Sequence, residues 1–455
     1  MSVATVPPQP KLSNRNLIFR EGYTSFLSAG DNANVGTVAR QMLRENPRLD
    51  QIPPFGPLCR IGAVDAPSLL IEDHSGIQLA HERGADQSLS YRAAMLAGDG
   101  DLLAVYGERD EDFEAYCREV LGLGDVAVLA PAIANSAQTL SQVCLEDVNL
   151  IALASKIARE AGALNIVPYM VTGGVWRLAK RIANDARVPV HVVGPGPTLA
   201  RAVNDKLWFA HCASMLLGRN AVPHNRTVYG MSALVGHLQR FVKEHHVVGL
   251  KLPSSAASLG NMVLESPQFS GKPATMIAAQ LAEAINQRGW KSPFPLQLTA
   301  WEGPLLASPS VQLWIPLPSD GPPIIEGIFD QQTSGENGRF VGGAPSLLSE
   351  RLKRELAREA ACLGTVFQRL GYFGRCSFDA VVVGKGEARA DLHWVECNGR
   401  WGGVSLPMTL ANRLVGDWRE HGFLVFSHFD PNGVPPKVSQ LLDRCEDLLF
   451  RQDRP

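Results

Sequence analysis

The chain has 455 residues, enough at about 150 per domain for two or three domains with substantial cores. Apolar residues make up 45% and charged residues 19%, a globular balance that excludes a chain too polar to fold. Lys plus Arg (43) nearly matches Asp plus Glu (45), so no overall basic field gathers nucleic acid, and any bound polyanion needs a local site.

Residues 1–14 carry Pro7, Pro8 and Pro10 but no basic start followed by an apolar run. They read as a disordered tail rather than a signal peptide, and no apolar stretch is long enough to span a bilayer. From 15 to 195, β-rich runs at 16–20, 68–71, 102–106, 126–130 and 188–193 alternate with helical patterns at 110–121 and 146–161. This alternation predicts an α/β unit with a parallel sheet. Gly194-Pro195-Gly196-Pro197 reads as the linker that ends it. Its G-x-G lacks the downstream glycine of a dinucleotide fingerprint, which argues against a nicotinamide oxidoreductase.

A helix containing Asn204-Asp205-Lys206 follows, then a second over 231–246. The runs at 247–252 and 261–265 read as β, joined by a small-residue loop over 253–260, and 275–288 reads as a helix closed by Gly289. Further β runs lie at 296–300, 311–315 and 324–329. Glu326, Asp330 and Arg339 read as solvated loop charges as readily as substrate contacts. The strongest helical pattern is 351–370, apolar at Leu352, Leu356, Ala360, Leu363 and Phe367 and ended by Gly371. A loop over 431–436 and a helix over 437–450 complete the chain. The eight cysteines are scattered without C-x-x-C spacing, which argues against a zinc ribbon or a disulfide scaffold and favours a reducing cytoplasm.

The chemistry concentrates between Gly371 and Pro407. β-rich runs at 376–383 and 391–398 flank a glycine-containing turn over 384–390. If the hairpin is symmetric about the midpoint between 387 and 388, Asp379 lies opposite Glu396, with Cβ atoms about 4.5–5.5 Å apart. Glu396, Asn398 and Arg400 then share a face, because alternate residues of an extended chain point the same way. Two carboxylates and an amide oxygen suit Mg²⁺, which takes the rest of its shell from water and substrate phosphates. Arg400 supplies a fork of donors for a phosphate, and Gly402 and Gly403 let backbone approach a ligand. The bland alternative is a solvated hairpin edge with an ordinary Glu396–Arg400 ion pair. Val381, Val383, Leu392 and Trp394 make the hairpin apolar, so a metal–phosphate partner becomes the more economical account.

Upstream, Lys251 ends an apolar run and the loop Ser254-Ser255-Ala256-Ala257-Ser258-Leu259-Gly260 follows at once. Small residues leave N–H groups free to cover phosphates, although the G-K-[ST] ending of a P-loop is absent.

Taken in order, these pieces resemble the ATP-grasp superfamily over roughly 197–410, with E-x-N-x-R at Glu396, Asn398 and Arg400 as the specific feature. More narrowly, the layout is similar to peptide ligases of the pheganomycin type. The resemblance implies an α/β, Rossmann-like pre-ATP-grasp domain (15–195) followed by a two-subdomain α+β ATP-grasp fold (196–430). The small lid subdomain falls at about 228–300, and a helical segment over 431–455 ends the chain. It implies a cytoplasmic, ADP-forming ligase that activates an amino-acid-like carboxylate donor as an acyl phosphate and joins it to a peptide amine acceptor. ATP would be used with two Mg²⁺ ions in the family pattern, held by Asp379, Glu396 and Asn398. Lys206 and Lys251 would contact phosphates, with Ser258 and Gly260 in the covering loop and Trp301 and Glu302 at the adenine hinge. Gly403 would lie near the nucleotide, and Arg400 would stabilise the transferring phosphoryl group. The loop here is Ser- and Ala-rich where the family has glycines. A homodimer follows by analogy; nucleic acid and membrane are not expected partners. The competing readings are an ATP-grasp kinase and a nucleotide-binding regulatory module without turnover.

Overall fold

The computed structural model describes residues 27–50, 55–77, 79–80, 89–133, 137–256, 258–335, 338–427 and 437–450. The expected tail at 1–14, the β run at 16–20 and the loop at 431–436 lie outside them.

Six short strands form a parallel sheet: β1 (Cys59–Ile61), β2 (Ser68–Ile71), β3 (Leu102–Ala104), β4 (Ala127–Leu129), β5 (Leu164–Pro168) and β6 (Val190–Val192). Their order is β1-β6-β5-β2-β3-β4, with every pair parallel. β2, β3 and β5 are buried along their whole length, the pattern of strands covered on both faces. The helices Leu140–Glu146, Val148–Ala161 and Gly173–Ala186 set Ile151, Ala154, Trp176 and Ile182 against Leu69, Ile71 and Ile166.

Local chemistry reshapes several expected elements. The helix read over 146–161 is split at Asp147, whose carboxylate accepts from Leu150 N (2.8 Å) and caps the second piece. The helix read over 110–121 is α-helical only at Glu111–Ala115, then widens into a π turn over Tyr116–Val120. β5 and the helix Gly173–Ala186 have no counterpart among the elements read from the sequence. Gly194–Pro197 is no solvated linker: Pro195 O accepts from the buried Trp176 Nε1 (3.1 Å), and Pro197 opens the helix Pro197–Val203.

A second, four-stranded sheet contains β7 (Asn225–Val228), β8 (Val247–Lys251), β9 (Asn261–Glu265) and β10 (Leu296–Ala300), antiparallel in the order β7-β10-β8-β9. The helices Met231–Glu244 and Ala274–Gln287 lay Leu234, Leu238, Phe241, Ile277 and Leu281 on it. Their apolar residues recur at helical spacing, so one stripe of each is buried.

The third sheet is built from β11 (Leu305–Ala307), β12 (Pro309–Ile315), β13 (Ile324–Ser334), β14 (Arg339–Pro345), β15 (Gly374–Val383), β16 (Asp391–Asn398) and β17 (Val425–Phe426). β15 lies between β12 and β16, with β11 beside its far end; β13, β14 and β17 extend the other side. The helices Glu350–Arg369 and Lys206–Leu217 pack on this sheet through Leu356, Leu363, Phe367 and Phe209 against Leu313 and Phe378. The helix Ala29–Glu45, which precedes the parallel sheet in the chain, joins this core instead. Asn34 Nδ2 donates to Leu216 O (2.8 Å), and Arg358 pairs with Asp31 (3.0 Å).

A further cluster ties the first sheet to the third: Leu70, Leu103 and Val105 meet Trp314, Phe373, Trp401 and Leu406. The terminal helix is shorter than read, Val438–Arg444 followed by a turn over Glu446–Leu448. Among the described residues, no helix is long and apolar enough to cross a membrane.

Candidate active site

The β15–β16 pair sets Asp379 opposite Glu396 and Ser377 opposite Asn398. The route to that register differs from the symmetric hairpin. Nearer the turn, Ala380 pairs with Trp394, so Val395 is an extra residue and the ladder carries a β-bulge. A straight ladder counted from the turn would set Asp379 against Val395; the bulge brings Glu396 there instead.

Cations answer the two carboxylates. Lys206, 4% exposed, opens the helix Lys206–Leu217, and Asp205 caps that helix by accepting from Leu207 N and Trp208 N. The Lys206 ammonium stands 2.8 Å from Glu396 Oε2 and donates to Ser255 O (2.7 Å). Its backbone N–H donates to Pro253 O (3.0 Å), so this helix start is stitched to the small-residue loop of the second sheet. Lys251, at the end of β8, is also buried, with its ammonium 5.4 Å from the Trp301 ring centre. Burial pulls the Lys251 pKa down to about 8 against the opposing pull of Glu396.

Asp379 accepts from Ser310 Oγ (2.6 Å) and Asn398 Nδ2 (2.9 Å). Burial, and then the neighbouring Glu396 carboxylate, still raise its pKa above the usual range. For Glu396 burial acts the same way, but Lys206 and Lys251 outweigh it and hold this carboxyl low. Two adjacent acids pushed in opposite directions form one titrating unit. Arg400, past the end of β16 and buried, donates to Asn204 Oδ1 and Asn398 Oδ1. The backbone reaches that position through Gly399, where a Cβ would lie 2.5 Å from Val203 Cγ2.

The structure therefore brings together Asp379, Glu396, Asn398, Arg400, Lys206 and Lys251, with Trp301 alongside. Other expected site residues are engaged elsewhere. Glu302 is bonded to His393 Nδ1 (2.6 Å), and that bond raises the His393 pKa. Ser258, at φ 60°, donates to Gly338 O (2.8 Å), which fastens the loop to the start of β14. Gly260 is walled in by Ser255, whose Oγ would lie 2.1 Å from an added Cβ. Gly403 faces the Phe340 ring, 2.8 Å from where a Cβ would stand.

Of the three charges read as loop candidates, Arg339 is exposed on β14 and Asp330 accepts from Leu347 N (3.1 Å). Glu326 is no solvated charge: it is buried on β13 and paired with Arg375. The Arg375 guanidinium lies 5.7 Å from the Trp314 ring and 4.8 Å from that of Trp401.

A polar cluster that sequence reasoning missed lies at the carboxyl ends of β2 and β5. These neighbours mark the point where the order of strands in the sheet reverses, with β3 and β4 on one side and β6 and β1 on the other. Glu72, Asp73 and His74 follow β2 and are buried. Arg92 Nε donates to Glu72 Oε1 (2.9 Å), and its guanidinium sits 4.8 Å from the Tyr169 ring, against which His74 also packs. Trp401 N donates to Tyr169 O (3.1 Å), which places this cluster beside Arg400. Burial pushes the Tyr169 hydroxyl up, but Arg400 and Arg92 outweigh it and leave its pKa below the usual value. The available signal was three polar residues directly after an apolar run; the partner strand, unrecognised, hid the rest.

Against known proteins, residues 90–183 match the family described as Pre ATP-grasp domain. No curated protein matches the chain in sequence. Among solved structures, the chain is similar to the biotin carboxylase domain of 2-oxoglutarate carboxylase from Hydrogenobacter thermophilus, solved with MgADP, ADP and bicarbonate. Identity is 16% and TM-score 0.45, covering 75% of this chain and 65% of that one. An ADP complex of N5-carboxyaminoimidazole ribonucleotide synthetase is 14% identical at TM-score 0.45, covering 76% and 73%. The Campylobacter jejuni biotin carboxylase is 16% identical at TM-score 0.44, covering 77% and 71%. The fold class is the one read from the sequence: a parallel α/β sheet, part of which lies in the segment that matches the Pre ATP-grasp family, followed by two antiparallel sheets.

Proposed function

We propose that the chain is an ATP-dependent, ADP-forming ligase of the ATP-grasp type. It activates an amino-acid-like carboxylate as an acyl phosphate and joins it to a peptide amine in natural-product biosynthesis. One observation carries the reading: the opposed carboxylates Asp379 and Glu396 are met by Lys206, while Lys251 and Arg400 converge on the same place. A site with two acids and three bases, all largely withdrawn from water, suits a polyphosphate with its counter-cation.

The donor set fits Mg²⁺, since Asp379, Glu396 and the Asn398 amide oxygen are hard ligands on neighbouring strands. Bound there, Mg²⁺ would supply charge neutralisation on ATP phosphates. Lys206 and Lys251 would grip phosphate oxygens from the second-sheet side. Arg400, anchored by Asn204 and Asn398, would present its remaining N–H groups to the transferring phosphoryl group. The loop fastened by Ser258 to Gly338 spans from the second sheet to the third and would keep water from a hydrolysable acyl phosphate. Substrates would enter along Glu72, His74, Arg92 and Tyr169, because ligands of open α/β sheets bind at carboxyl ends where strand order reverses.

The test is ADP and phosphate release with Mg·ATP, an amino-acid pool and a peptide pool, each omitted in turn, with mass analysis of products. Release that needs both pools, with a product lighter than their sum by one water, supports the ligase. Phosphate retained on one substrate makes the protein a kinase, and the absence of turnover alongside ATP binding makes it a regulatory module.

A further inference from the structure

Away from the carboxylate pair, three side chains meet at one corner of the second sheet. His224 lies just before β7, Glu244 ends the helix Met231–Glu244, and His245 follows it. His224 Nδ1 is 3.0 Å from His245 Nε2, and Glu244 Oε2 lies 3.6 Å from the first and 3.9 Å from the second. These separations do not describe a hydrogen-bonded chain. The two ring nitrogens are close enough to share one proton, but the carboxylate oxygen is too far to bond either ring. A tetrahedral ion with ligand bonds of about 2.0–2.2 Å holds its ligands about 3.3–3.6 Å apart. The three observed separations bracket that spacing.

We propose that His224, Glu244 and His245 form a binding site for a divalent transition-metal ion of the zinc class, distinct from the proposed nucleotide site. Two imidazoles and a carboxylate suit Zn²⁺ and not Mg²⁺ or Ca²⁺, which prefer all-oxygen shells. The Phe241 ring lies 4.4 Å from the His224 ring and 5.4 Å from that of His245, an apolar floor that fixes both. Opposite that floor the ligands are open to solvent, with 38% of the His224 side chain and 60% of Glu244 exposed, leaving room for water as a fourth ligand.

Position gives the site its consequence. The His224 carbonyl accepts from Ala300 N (2.8 Å), and the next residue, Trp301, donates to Val247 O (3.1 Å). A bound ion would fasten the entry of β7 to the exit of the helix Met231–Glu244, beside the hinge segment that Trp301 begins.

Zn²⁺ is titrated into the chelator-treated full chain in the presence of excess Mg²⁺, with a chromophoric chelator as competitor. One tight equivalent is expected. His224→Ala and His245→Ala should each weaken it at least about tenfold, while His211→Ala, on another helix, should not. Glu244→Gln changes a solvent-facing side chain and gives the same test without threatening the fold. Co²⁺ bound in place of Zn²⁺ should show the intense visible bands of a four- or five-coordinate ion and lose them in the same variants. Absence of binding to the native chain overturns the site, as does an affinity unchanged in both histidine variants and Glu244→Gln. These readouts need neither nucleotide nor turnover, so they stand or fall apart from the ligase reading.

Discussion

Lys206 and Glu396 are 190 positions apart in the chain, yet the ammonium of one lies 2.8 Å from the carboxylate of the other. The pair joins the first turn of a helix to the end of a strand, and the same ammonium reaches Ser255 O in the loop of the second sheet. Charge compensation and the docking of that loop thus depend on one side chain. Lys206→Met should destabilise the protein by about 2–3 kcal/mol, somewhat less than a fully buried broken pair because Glu396 is partly exposed. Urea unfolding measures the loss. Added Mg²⁺ should restore part of it, since a cation can replace the missing ammonium between the acids; no Mg²⁺ effect would argue against the carboxylates as an ion site.

Arg400→Ala should lower turnover about 10²–10³-fold, the cost of removing one donor from a transition state. Arg400→Lys should not recover it, because a single ammonium cannot hold Asn204 and Asn398 while also reaching a phosphate. Steady-state kinetics of both variants decide the matter: near-normal turnover in Arg400→Ala removes Arg400 from the chemistry, and near-normal turnover in Arg400→Lys shows that a positive charge alone suffices there.

Asp379→Asn and Glu396→Gln keep the shape of each side chain while halving the charge of the pair. Asp379→Asn should fold with little loss, because Asp379 already carries a raised pKa and its neutral form is tolerated. Glu396→Gln breaks the pair with Lys206 and should fold with a loss of about 2–3 kcal/mol, like Lys206→Met. Nucleotide binding should lose its dependence on Mg²⁺, seen by calorimetry with and without the ion. Unfolded variants would instead make the pair a structural element.

Lys251 predicts two opposite pH slopes. Its pKa falls from 10.5 to about 8 on folding, so the unfolded chain binds more protons between those values and stability should rise with pH across that window. The slope from this one group is at most about 1.4 kcal/mol per pH unit. Nucleotide affinity should move the other way, weakening above pH 8 as the free protein's lysine loses the charge that phosphate requires. Lys251→Arg stays charged and should flatten both slopes, as thermal unfolding and nucleotide titration from pH 7 to 10 would report.

Gly260→Ala tests the covering loop. Its Cβ would stand 2.1 Å from Ser255 Oγ and 2.8 Å from Leu252 Cβ, a clash that requires the backbone to shift. A loss of about 1–3 kcal/mol is expected. Unaltered unfolding and unaltered nucleotide affinity together would show that the loop has another arrangement available.

Much of this was legible in the residues because the signals were local. The helix ended by Gly371, the hairpin, and the lysine at a strand end with small residues after it all follow from period, turn chemistry and spacing within a few dozen residues. The Asp379–Glu396 opposition was read correctly, although the symmetric ladder that suggested it is interrupted at Val395. What escaped was long-range. Lys206 had no local feature that marked it as the partner of Glu396. The cluster at Glu72 and Tyr169 exists only once β2 and β5 lie side by side, and β5, although the longest strand of that sheet, is not among the β runs read from the sequence. Glu326 looked solvated because its partner, Arg375, lies on a strand that does not touch its own. Gly194–Pro197 does connect β6 to the helix Pro197–Val203, but the hydrogen bond that Pro195 O accepts from the Trp176 indole is not disclosed by local composition.

The bulge at Val395 also separates two kinds of tolerance. Residues 384–390 form the tip of the hairpin, and the ladder beyond the bulge is held in place by β12, which pairs Ser310 with Asp379 directly. Residues gained or lost at the tip would be absorbed there, leaving the acids aligned. Deleting Val395 would leave a straight ladder in which Glu396 still follows Trp394 and falls opposite Asp379. Straightening the ladder with Val395 kept would instead set Val395 against Asp379 and turn Glu396, Asn398 and Arg400 to the opposite side of the strand. The bulge thus acts as the vernier of the hairpin: a chain that kept Val395 but lost the bulge would keep every acid and base while aiming half of them the wrong way.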